Sequence, residues 1–204
     1  AGDAAPIEIP QEPPANGPVT AHVPWPSETL PFVTVAFHGP AFSETEPAFA
    51  ALDVLLDLFA GETSEFYQRL VEREQVVDQL FPYFPPQKDP GLATIFARVK
   101  DPAKAVYVRD AILDAIREAR RAPVSPDRLA EAVSNLRYSF ARTLDNSESI
   151  AATLARFVHF RRSYDTLNNV FRVYEALTPQ DLLDAARTYL PDANLVFTTL
   201  SHEP

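Results

Sequence analysis

Two acidic residues in the first third of the chain have a spacing that could support chemistry. Asp53 and Asp57 are four residues apart, which places both carboxylates on one face of a helix. Two neighbouring carboxylates can divide the roles of general acid and general base. The same spacing also fits the solvated or Arg-paired stripe of an otherwise apolar, buried helix. Because every other face of this segment is apolar, the second interpretation is favoured, and we predict no catalytic residue here.

A second charged pair follows directly after this segment. Arg69 and Arg73 are also four residues apart and could bind a carboxylate of a substrate or of an opposing acidic domain. Alternatively, they form ordinary surface pairs with Glu65 and Glu72. Both interpretations stay open, and we keep Arg69 and Arg73 as candidate contacts for a substrate or partner.

Aromatic residues are dense in the strand that comes next. Phe81, Tyr83 and Phe84 lie within four positions. A strand of this kind either faces the core, which is the commoner outcome, or lines a binding surface for a peptide. Tyr83 is therefore the third candidate contact residue.

Several kinds of site are excluded by the residue types present. The chain has no Cys, so disulfides, thiolate catalysis and Cys-based zinc sites are ruled out. A zinc site needs three or four ligands that converge, and no two of the four His are close in sequence. With only five Gly there is also no Gly-rich phosphate loop. We predict no metal site in this chain.

Length and charge limit the class of protein. The 204 residues suffice for one domain with a core, and no apolar run is long enough to span a membrane. The net charge of -10 argues against a nucleic-acid or anionic-membrane surface, so the expected partners are peptides or protein domains. Because the chain has no Met, we expect it to be a processed or excised segment.

The pattern along the chain predicts a linker followed by one folded unit. Residues 1–18 are Pro-rich, which is typical of a stiff linker that follows another domain, and residues 19–204 form the folded unit. Strands are predicted at 19–25, 32–37, 76–84, 92–99 and 195–200. Helices are predicted at 46–60, 64–74, 103–121, 125–144, 147–162, 165–176 and 178–190. This order predicts an α+β domain, with a single layer of mainly antiparallel sheet and helices packed on one face. Pro24 in the first strand predicts a sheet edge.

An ordered series of short motifs gives the chain a family resemblance. The central block is a helix ending at Ala60-Gly61, then residues 64–75 (SEFYQRLVEREQ), an aromatic strand and Asp89-Pro90. Weaker motifs precede and follow it at 31–37, 124–129, 177–182 and 189–195. Together they resemble the second, non-metal-binding repeat of the pitrilysin/insulinase-type zinc metallopeptidases, which include the mitochondrial processing peptidase. The resemblance spans residues 21–200.

The resemblance implies where the chemistry of such a protein lies. In this family an H-x-x-E-H motif on the preceding repeat binds zinc and activates water. This chain has no such motif, so it should be inactive alone, with zinc held by the adjoining catalytic repeat. The family also carries an Arg and a Tyr seven residues apart that reach the substrate. The matching positions here are Val71 and Asp78, so that pair is absent.

Two functions from different classes therefore remain open. In the first, the chain is the non-catalytic domain of a zinc metalloendopeptidase and helps to form a peptide-binding chamber beside the catalytic repeat. Its partners would be that preceding repeat, a second subunit and the peptide substrate. In the second, it is a scaffold or assembly domain in a protein that has kept the fold and lost proteolysis. A free-standing enzyme using Asp53 and Asp57 is disfavoured. For compartment the family favours a bacterial periplasm or envelope, with the cytoplasm as the alternative.

Overall fold

The computed structural model describes residues 16–202. Most of the predicted linker, residues 1–15, lies outside them. The strands are β1 (Val19–Pro24), β2 (Phe32–His38), β3 (Val77–Tyr83), β4 (Leu92–Val99) and β5 (Leu195–Ser201). The helices are α1 (Pro47–Ala60), α2 (Glu65–Tyr67), α3 (Ala105–Ala119), α4 (Pro126–Thr143), α5 (Ser147–Arg161), α6 (Asp165–Ala176) and α7 (Pro179–Tyr189). A π-helix, Gln68–Arg73, continues from α2, and short 3₁₀ turns cover Pro102–Lys104 and Asp192–Asn194.

The strands form one five-stranded sheet in the order β1-β5-β2-β4-β3. Only β1 and β5 are parallel; the other three pairings are antiparallel. The prediction of an α+β domain with a mainly antiparallel sheet is therefore confirmed. Pro24 lies in edge strand β1, as predicted, and Pro82 lies in the other edge strand, β3. Proline cannot donate to a strand ladder, so both residues are tolerated where one side of the strand is free.

The two faces of the sheet differ because alternate side chains point to opposite sides. Val35 pairs with Ile95 and with Phe197, and all three side chains are buried under the helices. Thr34, one position earlier, pairs with Phe96 and Thr198 on the opposite face. We call this second side the open face, since exposed side chains of β1, β3 and β4 lie on it.

Helix α1 is the centre of the helical layer. Pro47 occupies its first turn, and the Ser43 hydroxyl accepts a hydrogen bond from the Glu46 N–H just before it. The helix ends where the Gly61 N–H bonds to the Asp57 carbonyl at 2.8 Å. A Cβ at Gly61 would lie 2.5 Å from that carbonyl oxygen, so the backbone approach requires glycine.

The other helices surround α1 on the covered side of the sheet. Helices α1 and α3 contact the sheet, and α4, α6 and α7 contact α1 from its other sides. Helix α5 packs against α6. Phenylalanine rings pack within this helical layer and against the end of β3. The Phe42 ring lies 4.4 Å from the Phe160 ring, and the Phe49 ring stacks on the Phe84 ring at 4.7 Å. The core therefore lies on one side of the sheet.

The segment between α1 and β3 departs from the prediction of one regular helix over 64–74. Ser64 caps a single α-turn by accepting from the Tyr67 N–H, and the chain then widens into the π-helix. The segment ends at Gln75, whose φ of 52° is in the left-handed region. That conformation is costly for a residue with a Cβ. π-Helices occur often at functional sites, and this one carries both candidate arginines.

The remaining predicted elements match the structure to within a few residues at each end. Helix α6 and strand β4 have the predicted bounds, and Thr178 caps α7 through a reciprocal capping box with Asp181. Over residues 16–202, none of the helices combines the length and the apolar character needed to cross a membrane.

Candidate peptide-contacting surface

An aromatic cluster occupies the β3 side of the open face. Phe81 lies directly opposite Phe96, and their rings stack at 5.2 Å. Tyr83, two residues along the same strand, meets Phe96 edge-on at 6.4 Å. Phe81 and Tyr83 remain 43% and 54% exposed. An exposed aromatic cluster on a rigid sheet suits contact with a peptide or with another domain.

These positions show which interpretation of the aromatic strand applies to each residue. Phe84 faces the core and is buried against Phe49. Phe81 and Tyr83 instead point to the open face, so the core-facing interpretation is wrong for them. The role of Tyr83 as a contact residue stays a prediction.

Other apolar side chains extend the open face toward β1. Val19 and Val23 pair with Val196 and Leu200 of β5, and both β1 residues are exposed. In the middle of the sheet, the Thr34 hydroxyl donates to the Thr198 carbonyl at 3.3 Å. The open face is thus mainly apolar, with a threonine stripe in the centre.

One ion pair lies beside the aromatic cluster. The Arg98 guanidinium donates to both carboxylate oxygens of Asp78, at 2.8 Å each. These hydrogen bonds hold the pKa of Asp78 below its usual range. Asp78 is the position where the family resemblance places a Tyr, and here it serves as the partner of Arg98. Val71, the position matching the family Arg, is half-buried within the π-helix.

The candidates Arg69 and Arg73 are both ion-paired within their own segment. Arg73 pairs with Glu65, as one interpretation expected. Arg69 lies over the Phe66 ring at 5.8 Å, and its Nε is 3.7 Å from Glu74, not beside Glu72. Each guanidinium therefore has a carboxylate partner, and the two arginines do not form a free positive site.

The three candidate residues do not come together. Arg69 and Arg73 precede β3, whereas Tyr83 is its last residue. A strand rises about 3.3 Å per residue, so β3 is roughly 20 Å long, and the contacts described for Arg69 and Arg73 do not include Tyr83. Their roles as contacts remain separate predictions.

A groove lies at the Tyr83 end of β3, between the β3–β4 connection and α5. Its volume is about 740 Å³. Its apolar wall consists of Pro82, Tyr83, Phe84, Pro85, Pro86 and Phe160. Lys88 on the connection, and Arg156 and His159 on α5, bring positive or protonatable groups to the same groove. Sequence reasoning missed this groove, because Lys88 and Arg156 are distant in sequence.

The acidic pair on α1 lies in the helical layer, away from the open face. Asp53 is partly buried and accepts a hydrogen bond from the Tyr174 hydroxyl at 2.8 Å. Burial raises the pKa of Asp53 to about 6, although the bond from Tyr174 acts in the opposite direction. Burial also raises the pKa of Asp57, with the nearby Glu62 adding to the effect. Burial and the Asp53 carboxyl together raise the pKa of Tyr174.

The surroundings of this pair favour a structural role. Asp53 and Asp57 line a cavity of about 340 Å³ together with Asn135, Ser139 and several apolar side chains. Among the described residues, no arginine lines that cavity, so Asp53 is paired with a tyrosine and not with the arginine that one interpretation expected. The Asp53 carboxylate is already bonded to Tyr174, which favours a fixed structural contact over proton transfer to a substrate.

Histidines and carboxylates do not assemble into a metal site within residues 16–202, where no group of three or more has a suitable arrangement. His22 bonds to the Thr199 hydroxyl, and His202 bonds to the Trp25 carbonyl. His159 contacts the ring of Phe160. These three histidines therefore have identifiable structural contacts.

Comparison with known families agrees with this geometry. Residues 2–136 match the model of the family described as the peptidase M16 inactive domain. The chain belongs to this family. The resemblance found in the sequence is thereby confirmed, as is the placement of the fold among inactive domains of such proteases.

Solved structures support the same fold. A protease from Helicobacter pylori is similar with a TM-score of 0.86 and 22% identity, covering 98% of this chain and 48% of that chain. The peptidase M16 inactive domain from Pseudomonas fluorescens has a TM-score of 0.74 and 17% identity, with 98% and 48% coverage. The periplasmic protease PqqL from Escherichia coli has a TM-score of 0.62 and 14% identity, with 92% and 21% coverage.

The coverage shows that this M16 inactive domain corresponds to part of larger proteins. It spans about half the length of the first two of these structures. A search of curated proteins finds no match. The activity of a whole protein containing this domain is therefore a matter for proposal.

Proposed function

We propose that this M16 inactive domain forms a peptide-contacting wall beside a zinc-binding catalytic repeat and does not cleave peptides itself. The observation that carries the proposal is the open face, where exposed aromatic side chains lie on a rigid sheet in a domain of this family. Zinc would belong to the adjoining repeat, in which an H-x-x-E-H motif would activate water.

The two faces of the sheet contribute unequally to the stability of the domain. A single domain gains most of its stability from the covered face, where the apolar side chains leave water. Exposed aromatic and valine side chains on the other face add no such stability to the isolated domain. An extended peptide or a neighbouring repeat that covered them would remove apolar area from water, which favours association.

Charge adds a preference among peptides. With a net charge of -10, a wall built from this domain has a negative potential and favours basic or neutral peptides at long range. The proposed partners are the preceding repeat, a second subunit that completes the chamber, and the peptide. A periplasmic location is proposed by analogy with PqqL, which is described as a periplasmic protease.

Photo-crosslinking in the parent protein tests the wall. A photoreactive phenylalanine analogue replaces Phe81 on the open face or Tyr138 on α4, which is 66% exposed on the helical side. With a labelled peptide bound, we expect crosslinks from position 81 and not from position 138. Equal crosslinking from both positions, or none from position 81 while the parent cleaves the peptide, contradicts the proposal.

Peptidase activity of the parent separates the two functions left open by the sequence. The peptidase proposal expects zinc-dependent cleavage by the parent and none by this domain alone. A parent that folds, contains this domain and cleaves no peptide supports the scaffold function in its place.

A further inference from the structure

The groove at the end of β3 is a local exception to the acidic character of the domain. Lys88, Arg156 and His159 line it, and none of the described residues that line it is Asp or Glu. We propose that this groove binds an extended, proline-containing peptide segment through the acidic side chains of that peptide. The proposal does not depend on the peptidase function, because it concerns this domain alone.

The basic groups of the groove are free to bind a carboxylate. Within residues 16–202, neither Lys88 nor Arg156 has an ion pair or a hydrogen bond from its side chain. Arg161, on the same helix as Arg156, lies instead 3.9 Å from Glu44. Guanidinium and ammonium groups without internal partners lose no existing contact when a ligand carboxylate binds.

The walls of the groove suit a particular backbone conformation. Phe160 contributes a ring, and Pro82, Pro85 and Pro86 contribute flat apolar surfaces beside it. Tyr83 borders the groove at the end of β3, and its ring meets Phe96 on the open face. Aromatic-lined grooves bind proline-rich segments in the polyproline II conformation, which loses little entropy on binding. The volume of about 740 Å³ is within the usual range for a ligand site, roughly 300–1,000 Å³.

Because the domain has a negative net charge, a preference for an acidic peptide would indicate a local positive binding site. A domain of charge -10 repels an acidic peptide at long range. Binding of such a peptide therefore requires short-range contacts with a locally positive site. Lys88 and Arg156, on two facing elements, provide two such contacts. The affinity should therefore depend on the spacing of acidic side chains along the peptide.

Fluorescence anisotropy with the isolated domain tests this proposal. The probe is a fluorescein-labelled peptide of repeated Glu-Pro-Pro units, and its matched control has Gln in place of each Glu. We expect the Glu peptide to bind about tenfold more tightly than the Gln peptide, with the difference reduced by added salt. Equal affinity for the two peptides, or no binding of either, overturns the proposal.

Variants locate the binding site. The double substitution Lys88→Glu and Arg156→Glu should weaken binding of the Glu peptide about tenfold or more. The matched control, Lys100→Glu with Arg142→Glu, changes the net charge by the same amount on other surfaces and should alter the affinity less than about twofold. All four residues are exposed, so each variant should fold. Similar weakening by both double variants would mean that only net charge matters, and the groove would be rejected.

Ring substitutions test the apolar wall of the groove. Phe160→Leu removes a ring that lines the groove and keeps an apolar side chain, whereas Tyr138→Ala removes an exposed ring of α4 that does not line it. We expect Phe160→Leu to weaken binding of the Glu peptide by about three- to tenfold, and Tyr138→Ala to leave it unchanged. An equal effect of the two substitutions would contradict the groove.

Removing residues 1–15 provides a further control on binding of the Glu peptide. Residues 1–15 contain Asp3, Glu8 and Glu12 among prolines and could compete with the probe. A domain that begins at Asn16 removes this competitor. Tighter probe binding after the truncation would support an acidic proline-containing occupant, and weaker binding would contradict it.

Discussion

The covered face and the open face of the sheet are made by the same strands, yet they carry different kinds of side chain. In β4, Ile95 is buried under the helices, and its neighbour Phe96 is only half-buried on the open face. The covered face is closed by α1 and α3 of the same domain. Over the part of the chain that the structure describes, the aromatic rings and valines of the open face have no equivalent cover. The difference is the one that the proposed peptide-contacting wall requires, because helices of the domain close one face while the other presents exposed apolar side chains.

The two faces also differ in how they hold polar groups. On the covered side, the partly buried carboxylate of Asp53 is bonded to Tyr174. On the open face, the Asp78 carboxylate is hydrogen-bonded and ion-paired with Arg98 near solvent. These contacts lower the pKa of Asp78. Burial therefore moves one carboxyl pKa upward, and a cationic partner moves the other downward. This contrast gives opposite pH responses that can be measured.

The largest expected difference between the faces is in stability. Ile95→Ala should lower the free energy of unfolding by about 2–4 kcal/mol, because it leaves a cavity in the closed core. Phe96→Ala removes a larger side chain but should cost only about 1 kcal/mol, since its ring is partly solvated and loses mainly the stacking with Phe81. Urea unfolding of the two variants measures both values. An equal or larger loss for Phe96→Ala would show that the open face contributes to the core.

The stability of the covered side should also depend on pH. Because the pKa of Asp53 is raised to about 6, its contribution to stability is present below its usual pKa and is lost as the pH rises through 6. Asp53→Asn keeps an acceptor for Tyr174 and removes this titration. Relative to wild type, the variant should therefore gain about 1–2 kcal/mol between pH 4 and pH 7, since one pKa unit corresponds to about 1.4 kcal/mol and Asp53 is partly exposed.

Urea unfolding of both proteins across this range measures the change. Asp57→Asn provides a control on the same helix, at a more exposed position where a smaller change is expected. A constant difference between wild type and Asp53→Asn from pH 4 to pH 7 would contradict a raised pKa for Asp53.

Local sequence signals were sufficient for most of the fold. The predicted helix end at Ala60-Gly61 depends on contacts within a few residues, and α1 ends there. The helices predicted at 46–60 and 178–190 begin within one residue of the predicted start. Strand alternation and Pro24 likewise located the edge strand β1. These features depend on short-range geometry, which a single sequence contains.

The candidate surface could be located only from the tertiary structure. Phe81, Tyr83 and Phe84 have similar local sequence signals, and only the packing of α1 shows that Phe84 faces the core. Asp53 and Tyr174 are 121 residues apart in sequence, and no local pattern joins them. The π-helix was missed because its sequence has ordinary helical character. The left-handed residue that ends it is visible only through its backbone conformation.

A smaller effect is expected at the entry to β3, the strand that carries Phe81 and Tyr83. Gln75→Gly should raise the free energy of unfolding by about 0.5–1 kcal/mol, because glycine adopts positive φ with little cost, although it loses more entropy on folding. Thermal and urea unfolding measure the gain. Gln75→Ala, which keeps the Cβ, should give no gain, and an equal gain from Ala would show that the left-handed conformation is not the cause.

The smallest expected effect is at the ion pair on the open face. Asp78→Asn removes the charge that binds Arg98, and because both side chains are partly solvated, the loss of stability should be smaller than the gain from Gln75→Gly. Since the pKa of Asp78 is lowered, this contribution is present above the usual carboxyl pKa and is lost as the pH falls, which is opposite to the response at Asp53. Unfolding at pH 7 and pH 3, each in low and high salt, measures it. A large, salt-independent loss at pH 7 would mean that the pair is part of the closed structure. A small, salt-sensitive loss would identify Arg98 and Asp78 as a solvated ion pair at the border of the proposed peptide-contacting face.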